Sequence, residues 1–234
     1  MTQITECGCF ELMRVLVTRE AVFGWDHAAI ITAALERVLH SMGSHALMSA
    51  KVYKNMLCPF NQMYHAWKDH CTSPVLTPLG LRSELNQPLL SKEDITRKVT
   101  NLLVTFSYLW ETPGNEYFTA NYFIQMVTHK VFKSMPLMYV HINQAEPCSS
   151  LNNLFALGAA TIVANIQDYL EGTLNTQEVS PQVWRANYHA TRTLIEEMQW
   201  DTGWHTMLDM IQMWIMVQGT HLVRLSRCSC PLPQ

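Results

Sequence analysis

Apolar residues recur along this chain at intervals of three and four rather than two, the pattern of helices that each bury one face. About eight such segments are predicted. The first spans Cys9 to Ala21, with Phe10, Met13, Leu16 and Val17 on one side. Asp26 reads as the N-cap of a second helix from His27, carrying Ile30, Ile31, Leu35, Val38, Leu39 and Met42. A third stretch runs to Leu57, where Cys58-Pro59 stops it. After a short amphipathic piece, FNQMYHAWKDHC, the prolines at 74, 78 and 88 and Gly80 predict an irregular, mobile loop over residues 72–90.

Ser91-Lys92-Glu93-Asp94 resembles a capping box and opens a helix predicted through Trp110. Beyond the Pro113-Gly114 turn, EYFTANYFIQMVTHKVFKSM forms the next helix, followed by LMYVHI, which reads as a short strand or a packed connector. The segment 150–171 is apolar almost all round between Leu154 and Ile166, so other helices must wrap it, and Gly172 ends it. Ser180-Pro181 starts a helix to Trp200, and Gly203 separates that helix from the last one. Together these predict one all-α domain over residues 1–234, built of about eight helices around a central apolar helix, with residues 1–8 and 226–234 as flexible tails.

The stretch LHSMGSHALMSAKVYKNML, residues 39–57, admits two readings. If the helix continues through Gly43, then Leu35, Leu39, Met42 and Ala46 form one stripe with a glycine beside it. If Gly43 instead ends a helix in the left-handed conformation and Ser44 caps the next, the segment is a helical hairpin. Local chemistry favours the hairpin.

The spacing Leu35-x3-Leu39-x2-Met42-Gly43-Ser44-x-Ala46 resembles the third homology motif of the Bcl apoptosis regulators, with Ser44 where that family has aspartate. Glu11 to Leu16, followed by Phe23-Gly24-Trp25-Asp26, is similar to the family's first helix and its aromatic turn. Gly203-Trp204 is similar to the Gly-Trp of its second motif, and helix 150–171 suits its central hairpin. The family's Asn-Trp-Gly-Arg is not reproduced at Asn115–Phe118 or Asn152–Phe155. The resemblance implies an amphipathic partner helix in a hydrophobic groove, with Leu35, Leu39, Met42, Gly43 and Ala46 as the partner-binding residues.

Composition changes this picture little. At 48% hydrophobic and 15% charged residues, 234 residues can fill a core. The 16 Lys and Arg are outnumbered by 19 Asp and Glu, without the basic runs of a nucleic-acid binder. Seven cysteines, an odd number in a chain too large to need staples, point to free thiols and to the cytoplasm. The N-terminus carries Glu6, Glu11 and Arg14 where a signal peptide has an apolar run. Gln212, Gln218 and His221 interrupt the last helix too often for a membrane span.

Candidate chemistry is sparse. The phosphate-binding, hydrolase-elbow, dinucleotide and zinc-protease motifs are missing. His65/Asp69 and His205/Asp209 each place an imidazole and a carboxylate on one helix face, which is more often a surface pair than a catalytic one. Cys7-x-Cys9 and Cys228-x-Cys230 could close a zinc site if the termini met, but the spacing is short of the usual one and no metal or cofactor is expected. The 14 methionines and seven tryptophans read mainly as core. The function expected is a non-enzymatic interaction protein that binds a helix of a protein partner or forms a homo-oligomer. The alternatives are a capsid- or nucleoprotein-like subunit using Arg14, Arg19, Arg97 and Lys98, and an enzyme using one His/Asp pair.

Overall fold

A helix that offers no polar face to water has to lie at the middle, and the segment expected there does. In the computed structural model every residue from 151 to 166 is buried. Residues 2–18, 27–43, 51–56, 65–69, 75–82, 90–110, 117–134, 139–142, 147–175 and 181–228 are described. Among them the elements are α1 (Thr2–Thr18), α2 (His27–Ser41), α3 (Lys92–Thr105), α4 (Asn121–His129), α5 (Pro147–Gln167), α6 (Pro181–Trp200) and α7 (Thr202–Cys228), and none is a strand. The central helix is α5, packed against α1, α3, α4, α6 and α7. Its buried apolar residues join those of the other helices in one cluster from Leu12 to Val223, so the chain is a single all-α domain.

The outer helices turn apolar stripes inward. On α2 the buried set is Ile31, Ala34, Leu35 and Val38, the three-and-four spacing of a half-covered helix. The first helix begins at Thr2 rather than Cys9, so residues 2–8 are helical and not a tail. Ile4 and Gly8 extend the stripe of Leu12 and Val15, and Gly8 brings the α1 backbone against Met56 and Leu35. Likewise α7 continues through 226–228, placed above in a tail, while residues 229–234 lie outside the described residues.

The proline-rich stretch contributes to the core as well. Residues 75–82 make a helical turn in which Leu81 N–H donates to Leu76 O at 2.9 Å and Gly80 N–H to Thr77 O at 2.8 Å. With Gly80 at φ 62 this is the two-bond glycine stop of a helix end. It tucks Val75, Leu76, Leu79 and Leu81 inside. This part of the expected irregular loop is mostly turn, and its leucines pack in the core. Residues 83–89 lie outside the described residues.

Caps and stops account for the remaining boundaries. The Ser91 hydroxyl accepts the Asp94 N–H at 3.1 Å and opens α3. That helix stops at Thr105, short of Trp110, because Phe106 turns left-handed at φ 54. The 139–142 segment is a turn closed by Ile142 N–H on Tyr139 O, not a strand. The last four residues before Gly172 form turns rather than helix. Asp201, not Gly203, separates α6 from α7: its Oδ1 accepts the N–H groups of Gly203 at 2.9 Å and Trp204 at 3.1 Å. Residues 130–134 continue α4 as a π-turn, where the buried Phe132 ring fills the space a Cβ at Gly219 would need.

Polar side chains tie the central helix to its neighbours. Asn153 donates to the Val17 carbonyl in the last turn of α1 at 2.9 Å and accepts from Tyr188 of α6 at 3.2 Å. Asn152 accepts from Gln212 of α7 at 2.6 Å. At the other end Asp168 pairs with Lys68 at 2.9 Å, and Asn165 donates to the Lys68 carbonyl at 3.1 Å.

The question at Gly43 is answered by its backbone. Gly43 stands at φ 62 and its N–H donates to His40 O at 3.1 Å, in the turn that follows the end of α2 at Ser41. Ser44 lies outside the described residues, so its capping role does too. Among the described residues no atom would meet a Cβ at Gly43, so the cost of a side chain there is conformational. Gly43→Ala is therefore expected to destabilise by about 1 kcal/mol, lowering Tm by a few degrees in a thermal melt; a variant that melts above the parent would contradict the left-handed stop.

Candidate helix-binding cleft

Where α1 crosses α2, the two inward stripes diverge and leave an open cleft of about 730 Å³, lined by Thr5, Glu6, Cys7, Cys9, Phe10, Glu11, Val38 and Ser41. Val38 is buried at its base, whereas Phe10 stays 40% exposed on its wall. A half-exposed phenylalanine beside an apolar floor is the arrangement that a second apolar surface completes.

The residues expected to bind a partner fall unevenly around it. Leu35 is fully buried between α1 and α2 and faces no solvent. Leu39 is half-buried, and Met42, 44% exposed, and Gly43 stand at the exposed end of α2. Ala46 lies outside the described residues. The stripe is therefore not one continuous helix, since α2 ends at Ser41 and the chain turns at Met42 and Gly43. Phe10, Cys9, Val38 and Ser41 of the cleft were not among the expected binding residues. Phe10 and Val38 were visible as apolar helix positions, but only the α1–α2 crossing brings them together.

Charges brace the cleft from one side. Glu11 receives two bonds from Arg14, each 2.7 Å, and one from Arg37 at 3.0 Å, linking α1 to α2. The Arg14 guanidinium holds the Glu11 carboxyl below the usual carboxylate range. Behind Phe10 stands His141, with ring centroids 4.2 Å apart. Its Nε2 is buried with no hydrogen-bond partner among the described residues, and burial pushes the imidazole below its ordinary value.

The other candidates have different surroundings. His205 and Asp209 form a pair at 3.4 Å with both side chains well exposed, and His65 and Asp69 are exposed as well. Among the described thiols, Cys148 hydrogen-bonds to Asp209. Burial and that carboxylate push it up to about 11, the reverse of an activated nucleophile. Cys7 and Cys9 lie on one helix two residues apart, where side chains diverge rather than converge on one ion. Among the described residues no three His, Cys, Asp or Glu gather as a metal would require. Of the proposed basic set, Arg14 pairs with Glu11 and Arg97 with Asp94, while Arg19 lies outside the described residues. Met56, Met126, Met198 and Met216 are core, whereas Met42, Met210 and Met213 are exposed. No described helix is long and apolar enough to cross a membrane.

Comparison with protein families, with characterised proteins and with solved structures finds no match.

Acid should loosen the α1–α2 side in two stages. His141 and Glu11 both titrate lower in the fold than their ordinary 6.5 and 4.5, so each stabilises above its ordinary value and loses that contribution as pH falls through the lower, folded one. His129, at the end of α4 and depressed by burial and by Lys133 and Lys130, adds to the decline of the whole fold over the same pH range. Thermal melts from pH 8 to 3 are expected to show His141→Phe weakening the first decline and Glu11→Gln the second; parent-like profiles in both variants would contradict the assignment.

Proposed function

We propose that this chain is a non-enzymatic interaction protein of the cytoplasm that holds the apolar face of a partner's amphipathic helix in the α1–α2 cleft. The observation that carries the reading is the cleft itself: an open trough between two helices, with an apolar base at Val38, a half-exposed aromatic wall at Phe10 and Met42 exposed on α2 nearby. A helix presenting apolar residues at i, i+3 or i+4 and i+7 matches such a trough. Glu6 on the rim favours a partner with a lysine or arginine flanking its stripe. The free thiols of Cys7, Cys9 and Cys148 support a reducing compartment. The partner class agrees with the one implied by the resemblance to the Bcl apoptosis regulators, and regulation of apoptosis is the setting we propose for it.

The test is selection of displayed amphipathic helical peptides on the intact protein, followed by affinity measurement on Phe10→Glu and Ser41→Arg variants whose melting is checked against the parent. The expected result is enrichment of peptides with helical apolar spacing whose Kd weakens at least about tenfold, about 1.4 kcal/mol, in both variants. Selected peptides that lack helical spacing, or that bind both variants as well as the parent, would overturn the reading.

A further inference from the structure

Phe10, the exposed wall of the cleft, lies against a histidine with one nitrogen to spare. The Phe10 and His141 ring centroids are 4.2 Å apart at an interplanar angle of 58°, and the imidazole also hydrogen-bonds to the Phe10 backbone. Its Nε2 is out of contact with solvent and meets no hydrogen-bond partner among the described residues. In the neutral ring that nitrogen is a bare lone pair. Protonation makes it a charged N–H donor with no acceptor among those residues, the state a buried polar group tolerates least.

The charges around the ring give that proton no outlet. Glu11, the carboxylate that acts on the ring, already accepts two bonds from Arg14 and one from Arg37 of α2, and Arg14 itself repels an imidazolium. Tyr139, two residues before His141, meets Phe132 of the π-turn, whose Lys130 and Lys133 act on His129 rather than on His141. Burial, ahead of these charges, holds the imidazole below its ordinary 6.5 against the upward pull of the Phe10 backbone bond and of Glu11. The face of Phe10 attracts a cation, but it supplies no acceptor for the Nε2 proton. A protonated ring therefore reaches water by parting from α1, and what it parts from is Phe10.

We propose that His141 is a proton switch on the α1–α2 cleft: the neutral ring backs Phe10 as the wall that a partner helix packs against, and the protonated ring draws the 139–142 turn away from α1, loosens that wall and releases the partner. The proposal rests on the reading of the cleft as the partner's site. A helix seated on Phe10 holds that ring in place over the imidazole, so binding and protonation compete. With one proton exchanged, Kd weakens by at most about tenfold per pH unit as pH falls below 6.5. Glu11, held below 4.5, keeps its charge through the upper part of this range and leaves the effect to the histidine.

Fluorine NMR of the full chain carrying 4-fluorophenylalanine at position 10 reads the wall directly, because the shift of its resonance between H2O and D2O measures exposure. That exposure is expected to rise on acidification with one midpoint below 6.5, to do so equally in His129→Gln, and to stay constant in His141→Asn. A histidine-free amphipathic peptide from the helical-peptide selection should bind the parent at least about fivefold more weakly at pH 5.0 than at pH 7.5, and bind His141→Asn equally at both. Flat exposure in the parent overturns the switch without any variant. So does a parent Kd that is unchanged or tighter at pH 5.0, or a loss that persists in His141→Asn. Failure of the cleft reading shows differently: no peptide binds at pH 7.5, and the release falls with it.

Discussion

The fold depends on how two adjacent amides at the start of the central helix are satisfied. Asn152 and Asn153 are both buried, where an unpaired amide costs about 1–3 kcal/mol. Each finds its partner on a different helix: Gln212 on α7 for the first, the Val17 carbonyl on α1 and the Tyr188 hydroxyl on α6 for the second. Val17 belongs to the last turn of α1, whose carbonyls have no partner within the helix, so one amide closes that end and fixes the height of α1 on α5. Apolar burial supplies the driving force but tolerates sliding. The amides select one register, because a slip of one helical turn would leave several buried groups unpaired.

That register also decides which apolar residues are left exposed. With α1 set against α5 by Asn153, the inner stripe of α1 ends on Gly8, Leu12 and Val15, and Phe10 turns outward beside α2. With α7 set by Gln212 and by the close approach of Phe132 to Gly219, its opposite face is left to water as Met210, Met213, Trp214 and Val217. Methionine suits such a surface, since it is flexible enough to pack against varied shapes.

Much of the architecture was legible in local signals. The central helix showed itself by lacking a polar face between Leu154 and Ile166, Ser91 by its spacing to Asp94, and α6 by Pro181. Gly43 was the expected stop because glycine alone adopts φ near +60° without strain. Elsewhere a local signal pointed one way and tertiary packing another. The prolines of 74–88 hid the core leucines of 75–82, and Gly203 drew notice from Asp201, the residue that caps. Binding surfaces were the least legible. Leu35 and Phe10 are equally apolar on paper, and only the crossing of α1 and α2 buries the first and exposes the second. On α7 apolar residues occupy more than one face, and spacing alone does not say which of them meets the core.

The central claim is that α5 is enclosed on every side and held by its buried amides, so that it opens only when the whole domain unfolds. Native-state hydrogen exchange followed by NMR measures this directly. The amides of Leu157 to Ile166 should be among the slowest in the protein, with opening free energies equal to that of global unfolding from denaturant melts. Exchange of those amides as fast as that of the exposed turns of α6, or well below the global value, would contradict it.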